Sequence, residues 1–520
     1  MKQPLVIKKE NVMREYSGKK VLLALLAATA AMNAQAFDSG STGALGAFNP
    51  TVNTVVTLPD DGVLHYTTIN IPAGVWVSFK GNRLNTPVTL LASGNITING
   101  YLNLTGSGSP AAGTAGDGKQ GDDGLPGGGG PGGYAGGRGG KADPVAANRA
   151  AGAGRGPGGG GGGIALVNFC GYSQIASGGS GGGYASASTG PADGAWCGMS
   201  MPAVGAAYGA NTLLPLIGGS GGGGGAGGAN YDGSGGGGGG GAVLIASSGT
   251  LSITSPGYVL ADGGGSGTSD GAGGMGGTGG GGSGGAIRLV ATTISGNGGV
   301  YARGAGYGAI SNRSISPGYL GNTGGAGAPG RIRVEAENIT LSGTSDPAYT
   351  TDTPGPLFVA SVPSLRIARV AGVDVPAMPT GSGDVSLPTG TANPVTVEVA
   401  AANIPVGSQV KLTVQPAYGN RTVSAAVALA GSDAASTASL TVTLPTGPSV
   451  LLLSTTYTVV AAVGDALSRF AGNERVEKVE LQARAGQPNN LKLITVGGRE
   501  FSAPPEVMQI AALAMQRQLR

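Results

Sequence analysis

Charge, aromatic rings and metal- or proton-handling side chains are all scarce in this 520-residue chain. Charged residues make up 11% and aromatics 5%. A single histidine, His65, leaves one candidate base, so a nucleophilic triad either uses it or does not exist. It stands in the strand-like run Leu64-His65-Tyr66, where a structural role suits it better than catalysis. The two cysteines are too few for a disulfide framework, and with His65 far away in sequence they do not make a metal site. Residues 1–36 hold six Lys/Arg and two Glu, which leaves 24 basic against 25 acidic side chains, or about −1, in the remainder. That balance argues against a nucleic-acid or anionic-membrane binder, both of which need basic patches. No later stretch reaches the roughly 18 apolar residues of a spanning helix, so no integral membrane span is expected.

The start reads as a secretory signal. Arg14, Lys19 and Lys20 precede the twelve apolar or small residues Val21–Met32, and Ala34-Gln35-Ala36 offers a cleavage site between Ala36 and Phe37. Met13 gives a more ordinary signal length than Met1. Phe37, not cysteine, follows the cut, which argues against lipid attachment there. The expected location is the periplasm, the cell surface or the extracellular space. In such an oxidising setting Cys170 and Cys197, 27 residues apart, are expected to form a disulfide worth roughly 3 kcal/mol, with two free buried thiols as the alternative.

What the chain has in excess is glycine: 83 of its 107 glycines fall in the 225 residues 106–330. Apolar runs interrupt the glycine at Ile164–Val167, Val243–Ala246, Ile287–Val290 and Ile332–Val334. Upstream, Val75–Phe79, Val88–Ala92, Ile96–Ile98 and Tyr101–Leu104 alternate with a period of two between turn signals such as Asn99-Gly100. Val88–Gly100 has a close relative in Ile332–Gly343, and two more units stand between them. The intervals are too short for helical crossovers, so stacked parallel coils of a β-helix-like solenoid are expected, with a β-sandwich as the alternative. Within the glycine blocks a finer period appears: Gly273, Gly276, Gly279, Gly282 and Gly285 step by three, as do Gly321, Gly324, Gly327 and Gly330. Three residues per turn is the polyproline-II repeat, and glycine at every third position lets such helices touch backbone to backbone. An ordered layer of polyglycine-II helices is expected rather than flexible linkers, with Tyr134, Tyr184, Tyr208 and Tyr231 placed to cap it.

After Gly343 the composition changes. Strand-like runs recur at the 8–12 residue spacing of an immunoglobulin-like sandwich, among them Val395–Val399, Val410–Val414 and Ser439–Leu444. Lys478–Ala483 and Leu491–Val496 read as a hairpin, and Pro505–Arg520 as an amphipathic helix. The expected organisation is a signal peptide at 1–36, a lead-in at 37–60, a glycine-rich domain at 61–345, a sandwich at 360–460 and a hairpin plus helix at 461–520. The fold class is all-β.

Candidate chemistry is thin. Asp60-Asp61, Asp122-Asp123, Asp262 and Asp270 are the carboxylates, and Arg288, Arg303, Arg331 and Arg333 the cations, that a coil surface offers for acidic-polysaccharide chemistry. None forms a convincing catalytic set, no metal or cofactor is implied, and the chain reads as a non-enzyme. Gly280–Gly306 and its echo Gly327–Gly343 look like uncharacterised glycine-rich exported bacterial proteins. Over residues 60–345 the coils resemble the pectin-lyase-like β-helix superfamily, and the glycine layers resemble the polyglycine-II sandwich of phage tail-tip adhesins. No site residue carries over from either. The adhesin likeness implies recognition through loops at the ends of the glycine helices, which points to the Cys170–Cys197 loop with Tyr184, Trp196 and Tyr208. The expected function is an exported structural or adhesive surface or matrix protein, with a polysaccharide or cell-surface ligand as partner. A polysaccharide-degrading lyase or hydrolase is the alternative. Ice binding ranks third, because no flat Thr-x-Thr ladder is present.

Overall fold

A computed structural model describes residues 37–112, 124–169, 172–191, 201–229, 231–270, 276–306, 310–311, 323–376 and 385–518. The protein is all-β, with 35% of residues in strands and 6% in helices.

The first part rests on two sheets of parallel strands. One orders Thr54–Thr57, Trp76–Lys80, Tyr101–Asn103, Tyr258–Leu260, Gly299–Tyr301 and Ser345–Asp346. The other orders Val63–Tyr66, Val88–Ala92, Ala242–Ile253, Ala286–Gly296, Arg331–Leu341 and Thr350–Asp352. Each sequence unit gives one strand to each sheet, so the rows of the two sheets rise in the same order.

The period-two alternation now has a physical meaning. Leu64, Leu90, Ile245, Leu289 and Val334 are partners in register, one per row, and form a single buried column. Val77, Leu102, Val259 and Val300 form the facing column in the other sheet. Each such side chain contributes about 1.5–3 kcal/mol by leaving water. Val243–Ala246 is apolar at every position because both faces are covered. Leu244 and Ala246 meet Phe37, Leu216 and Leu357 on the outer side.

A glycine marks the corner between the two strands of a row. A Cβ on Gly257 would collide with the carbonyl oxygen of Ile98 in the row before, while its own carbonyl accepts from Gly299 N–H at 3.0 Å. The corner is main chain stacked on main chain.

The glycine segments hang between successive rows and bond to one another with a recurrence of three. Gly221, Gly224 and Gly227 donate to the carbonyls of Arg155, Gly152 and Arg149. Their neighbours Gly222, Gly225 and Gly228 donate to Gly237, Ser234 and Tyr231, while Gly223 and Ala226 donate to Ser180 and Ser177. One segment therefore bonds three others, where a sheet strand bonds two. Residues 233–241 repeat the pattern: Gly233, Gly236 and Gly239 donate to Gly140, Gly137 and Tyr134, and Ser234, Gly237 and Gly240 donate to Gly277, Gly280 and Ser283.

Two expectations are corrected. Ile164–Val167 does not supply a coil strand: Ala165–Phe169 pairs antiparallel with Tyr172–Ala176 in a separate two-stranded sheet. The division placed at residue 460 runs through one sheet, in which Gln409–Pro416, Ser449–Thr458, Val476–Arg484, Asn490–Thr495 and Glu500–Ala503 are antiparallel neighbours. A second antiparallel sheet holds Ser364–Val370, Val395–Ala402 and Ala435–Val442. The two sheets share a core containing Val397, Leu412, Leu453 and Leu481. Helices α1 (Ala461–Leu467) and α2 (Val507–Gln518) close this core through Val463, Leu467, Val507 and Ala511.

A buried ion network ties the two parts. Glu335 takes Arg288 Nε at 3.0 Å and Nη2 at 2.8 Å, Arg333 Nε at 2.6 Å, and the Gly355 N–H at 3.0 Å. Arg288 also donates to Pro356 O at 2.9 Å, so the Pro354-Gly355-Pro356 linker is held against the sheet. Burial pushes the Glu335 carboxyl up, but the hydrogen bonds from Arg288 and Arg333 outweigh it, and the net shift is downward. A depressed carboxylate contributes stability above its unfolded value, and that stability is lost as pH falls through the folded one.

Three outcomes are expected from denaturant unfolding. Ile245→Ala opens the core column and costs about 2–5 kcal/mol. Glu335→Ala leaves the buried Arg288 without a carboxylate and Arg333 with Asp352 alone, and costs about 3–5 kcal/mol at pH 7. Glu335→Gln flattens the loss of stability seen in the parent below about pH 4.3; an unchanged acid limb would mean that the network does not hold the linker.

Candidate functional site

The residues expected to carry chemistry are dispersed. Asp60 pairs with Arg83 at 3.0 Å, Asp262 with Arg303 at 2.7 Å, and Asp352 with Arg333 at 2.8 Å. Asp61 turns its carboxylate onto the Val63 N–H at 3.0 Å. Arg288 and Arg333 are consumed by Glu335, as described above. His65 accepts from the Thr42 N–H through Nδ1 at 3.2 Å, which fastens the lead-in to the sheet edge. Asp122-Asp123, and the side chain of Asp270, lie outside the described residues. Among the described residues, no three His, Cys, Asp or Glu side chains gather as a metal site would require.

The aromatic residues expected at an exposed loop are placed differently. Tyr184 and Tyr208 are 1% and 7% exposed, with ring centroids 4.7 Å apart edge to face. The Tyr184 hydroxyl donates to Ile217 O at 2.9 Å and the Tyr208 hydroxyl to Gly218 O at 2.5 Å. Ser220 Oγ donates to the Tyr208 hydroxyl at 3.0 Å. Both rings are buried and close off the end of the glycine segments. Side chains this large are needed there because glycine leaves nothing else to fill the space. Trp196, Cys170, Cys197 and Ala36 lie outside the described residues. Phe37 is half-buried against Leu91 and Leu244.

A surface that the sequence reading did not single out lies on the outer face of the sheet that begins with Thr54–Thr57. Trp76, Tyr101 and Tyr258 are in register on three neighbouring strands. Their rings stack, with centroids 4.1 Å apart at 7° for Trp76–Tyr101 and 5.4 Å at 22° for Tyr101–Tyr258. The next position in the row is Gly299, and its bareness lets Tyr301, two residues on, lean back to stack on Tyr258 at 5.7 Å and 24°. A Cβ on Gly299 would meet both rings at 2.5–2.9 Å. Arg303 ends the column, its guanidinium carbon 4.6 Å from the Tyr301 ring centre and its charge matched by Asp262. Such pairs contribute about 0.5–1.5 kcal/mol each beyond the area they bury.

The opposite faces of these strands carry the Val77–Leu102–Val259–Val300 column, so the alternation of the strand forces the rings outward. Trp76 is 39% exposed, and the three tyrosines are half-buried, with their ring edges at the surface. The result is a continuous aromatic strip about one strand spacing per ring, or roughly 4.8 Å per step. A legible signal existed: Gly100-Tyr101 and Gly257-Tyr258 place the same ring directly after the same corner glycine in two units.

Comparison with protein-family models, with curated proteins and with solved structures finds no match. Among the described residues, no helix is long and apolar enough to cross a membrane.

Burial raises the Tyr134, Tyr184 and Tyr208 hydroxyls well above the ordinary tyrosine value. An acid whose folded value is raised contributes stability below its unfolded value, near 10, and loses it as pH rises beyond. A tyrosinate absorbance titration should therefore show a delayed group of rings that ionises only as near-ultraviolet circular dichroism is lost. Ionisation of every ring near pH 10 with the circular dichroism intact would mean that these tyrosines are not buried.

Proposed function

We propose that this is an exported, non-enzymatic surface or matrix protein that holds polysaccharide along the Trp76–Tyr101–Tyr258–Tyr301 strip. The observation that carries the reading is the strip itself: four stacked rings on an uncovered sheet face, at a regular step, with polar side chains beside them. Ser78 and Asn103 occupy the next outward positions in the same rows, and Arg303 and Asp262 flank the far end with no net charge. Apolar ring surface bordered by neutral hydrogen-bonding groups suits the alternating C–H and hydroxyl faces of a sugar polymer. It suits a strongly charged partner poorly.

The rest of the molecule serves as a rigid support in this reading. Parallel rows rising together in two sheets support a β-solenoid, and the three-residue recurrence of the glycine hydrogen bonds supports polyglycine-II helices. The antiparallel sheets after residue 364 support a β-sandwich packed behind it. The signal-like residues 1–36 support export.

Residues 37–520 applied to a panel of neutral and acidic polysaccharides, with and without calcium, are expected to be retained without releasing new chain ends. Trp76→Ala and Tyr258→Ala are each expected to weaken retention about tenfold, equivalent to about 1.4 kcal/mol. Undiminished retention in both variants would remove the strip from the function. New chain ends would make the protein a polysaccharide-degrading enzyme instead.

A further inference from the structure

A second feature, independent of the adhesive reading, lies where the glycine segments meet the two helices. A cleft of about 490 Å³ opens between residues 207–217, the start of the Arg331–Leu341 strand, and helices α1 and α2. Its volume falls in the range of about 300–1,000 Å³ typical of small-molecule sites. The walls are apolar: Ile217 and Leu214 from one side, Phe470, Ile510 and Leu513 from the other. Two arginines, Arg331 and the exposed Arg469, also line it.

Neither arginine is matched by a carboxylate. Arg331 donates to Asn211 Oδ1 and, through Nη2, to Tyr208 O at 3.0 Å and Ala185 O at 3.5 Å, with the Tyr184 ring centre 5.5 Å from its guanidinium carbon, and Arg469 donates to Ala207 O. All of these acceptors are neutral. Neither side chain makes an ion pair among the described residues, whereas Arg83, Arg288, Arg303, Arg333, Arg369 and Arg499 each do. Like charges that line one apolar cleft repel each other. An anion seated between them relieves that repulsion. A carboxylate matches the planar guanidinium fork and carries less charge than a phosphate into an apolar space. The apolar walls select against small hydrated anions and call for a hydrocarbon body on that carboxylate.

We propose that this cleft binds an amphiphilic carboxylate, its head between Arg331 and Arg469 and its hydrocarbon body against Phe470, Ile510 and Leu513. The site spans the glycine segments and the helices, so its ligand would bridge the two parts of the chain.

The test uses the purified chain with 1-anilinonaphthalene-8-sulfonate as a fluorescent reporter and octanoate as competitor. The expected result is one saturable reporter site per chain, displaced by octanoate at least tenfold more effectively than by 1-octanol. Arg469→Gln, at an exposed position, should weaken octanoate at least tenfold and leave the melting temperature unchanged. Leu513→Trp fills the cleft and should abolish the reporter site without touching either charge. Equal competition by octanoate and octanol, several reporter sites per chain, or full reporter binding in the Leu513→Trp variant would each overturn the proposal. Polysaccharide retention is unaffected by either substitution if the two surfaces are separate, so failure here leaves the strip's own test intact.

Discussion

A main-chain amide with no side chain beside it can be approached from any direction, and residues 219–241 use this freedom to bond three neighbours at once. A Cβ on Gly236 would collide with Gly222 O, and one on Gly239 with Gly219 O. Ordering glycine carries the largest entropic cost of any residue, and each hydrogen bond returns only about 0.5–1.5 kcal/mol. Such a layer has little apolar surface to bury. It holds because each excursion of the chain into it starts from one parallel sheet and ends in the other, as between Tyr101–Asn103 and Ala242–Ile253, and the aliphatic columns of those sheets supply the hydrophobic term that glycine cannot.

The same dependence explains the side chains that remain in the layer. Ser180, Ser220, Ser234 and Ser283 are fully buried among backbone, and each hydroxyl has a partner: Ser180 Oγ reaches Pro202 O, and Ser234 Oγ bridges Gly267 O and the Gly279 N–H. Serine is small enough for these positions and brings its own donor and acceptor. Tyr184 and Tyr208 finish the end of the layer, where bulk is required and two main-chain carbonyls need donors.

Much of the fold was legible because periodicity reports geometry. Val88–Ala92 and Val243–Ala246 alternate or run apolar according to which faces are covered, and the three-residue step of Gly276, Gly279, Gly282 and Gly285 matches the recurrence of the hydrogen bonds. Ile164–Val167 misled because four apolar residues after a glycine run look alike whether they join a parallel row or fold back on Tyr172–Ala176. The candidate surface was less legible. Tyr184 and Tyr208 were singled out for being aromatic within a glycine tract, yet isolation in sequence is what sent them inward. Trp76, Tyr101, Tyr258 and Tyr301 are separated by up to 225 positions, and only the register of the parallel strands brings their rings into contact.

The recurrence of three also constrains how the gene can change. Inserting one residue between Gly221 and Gly224 turns every amide after it by about a third of a turn, so that Gly224 would face Ser234 instead of Gly152. Inserting three restores each amide to its own neighbour. Lengthening or shortening of these segments is therefore tolerated in steps of nine nucleotides, and a single-codon change, harmless in an ordinary glycine linker, throws an entire face of the layer out of alignment.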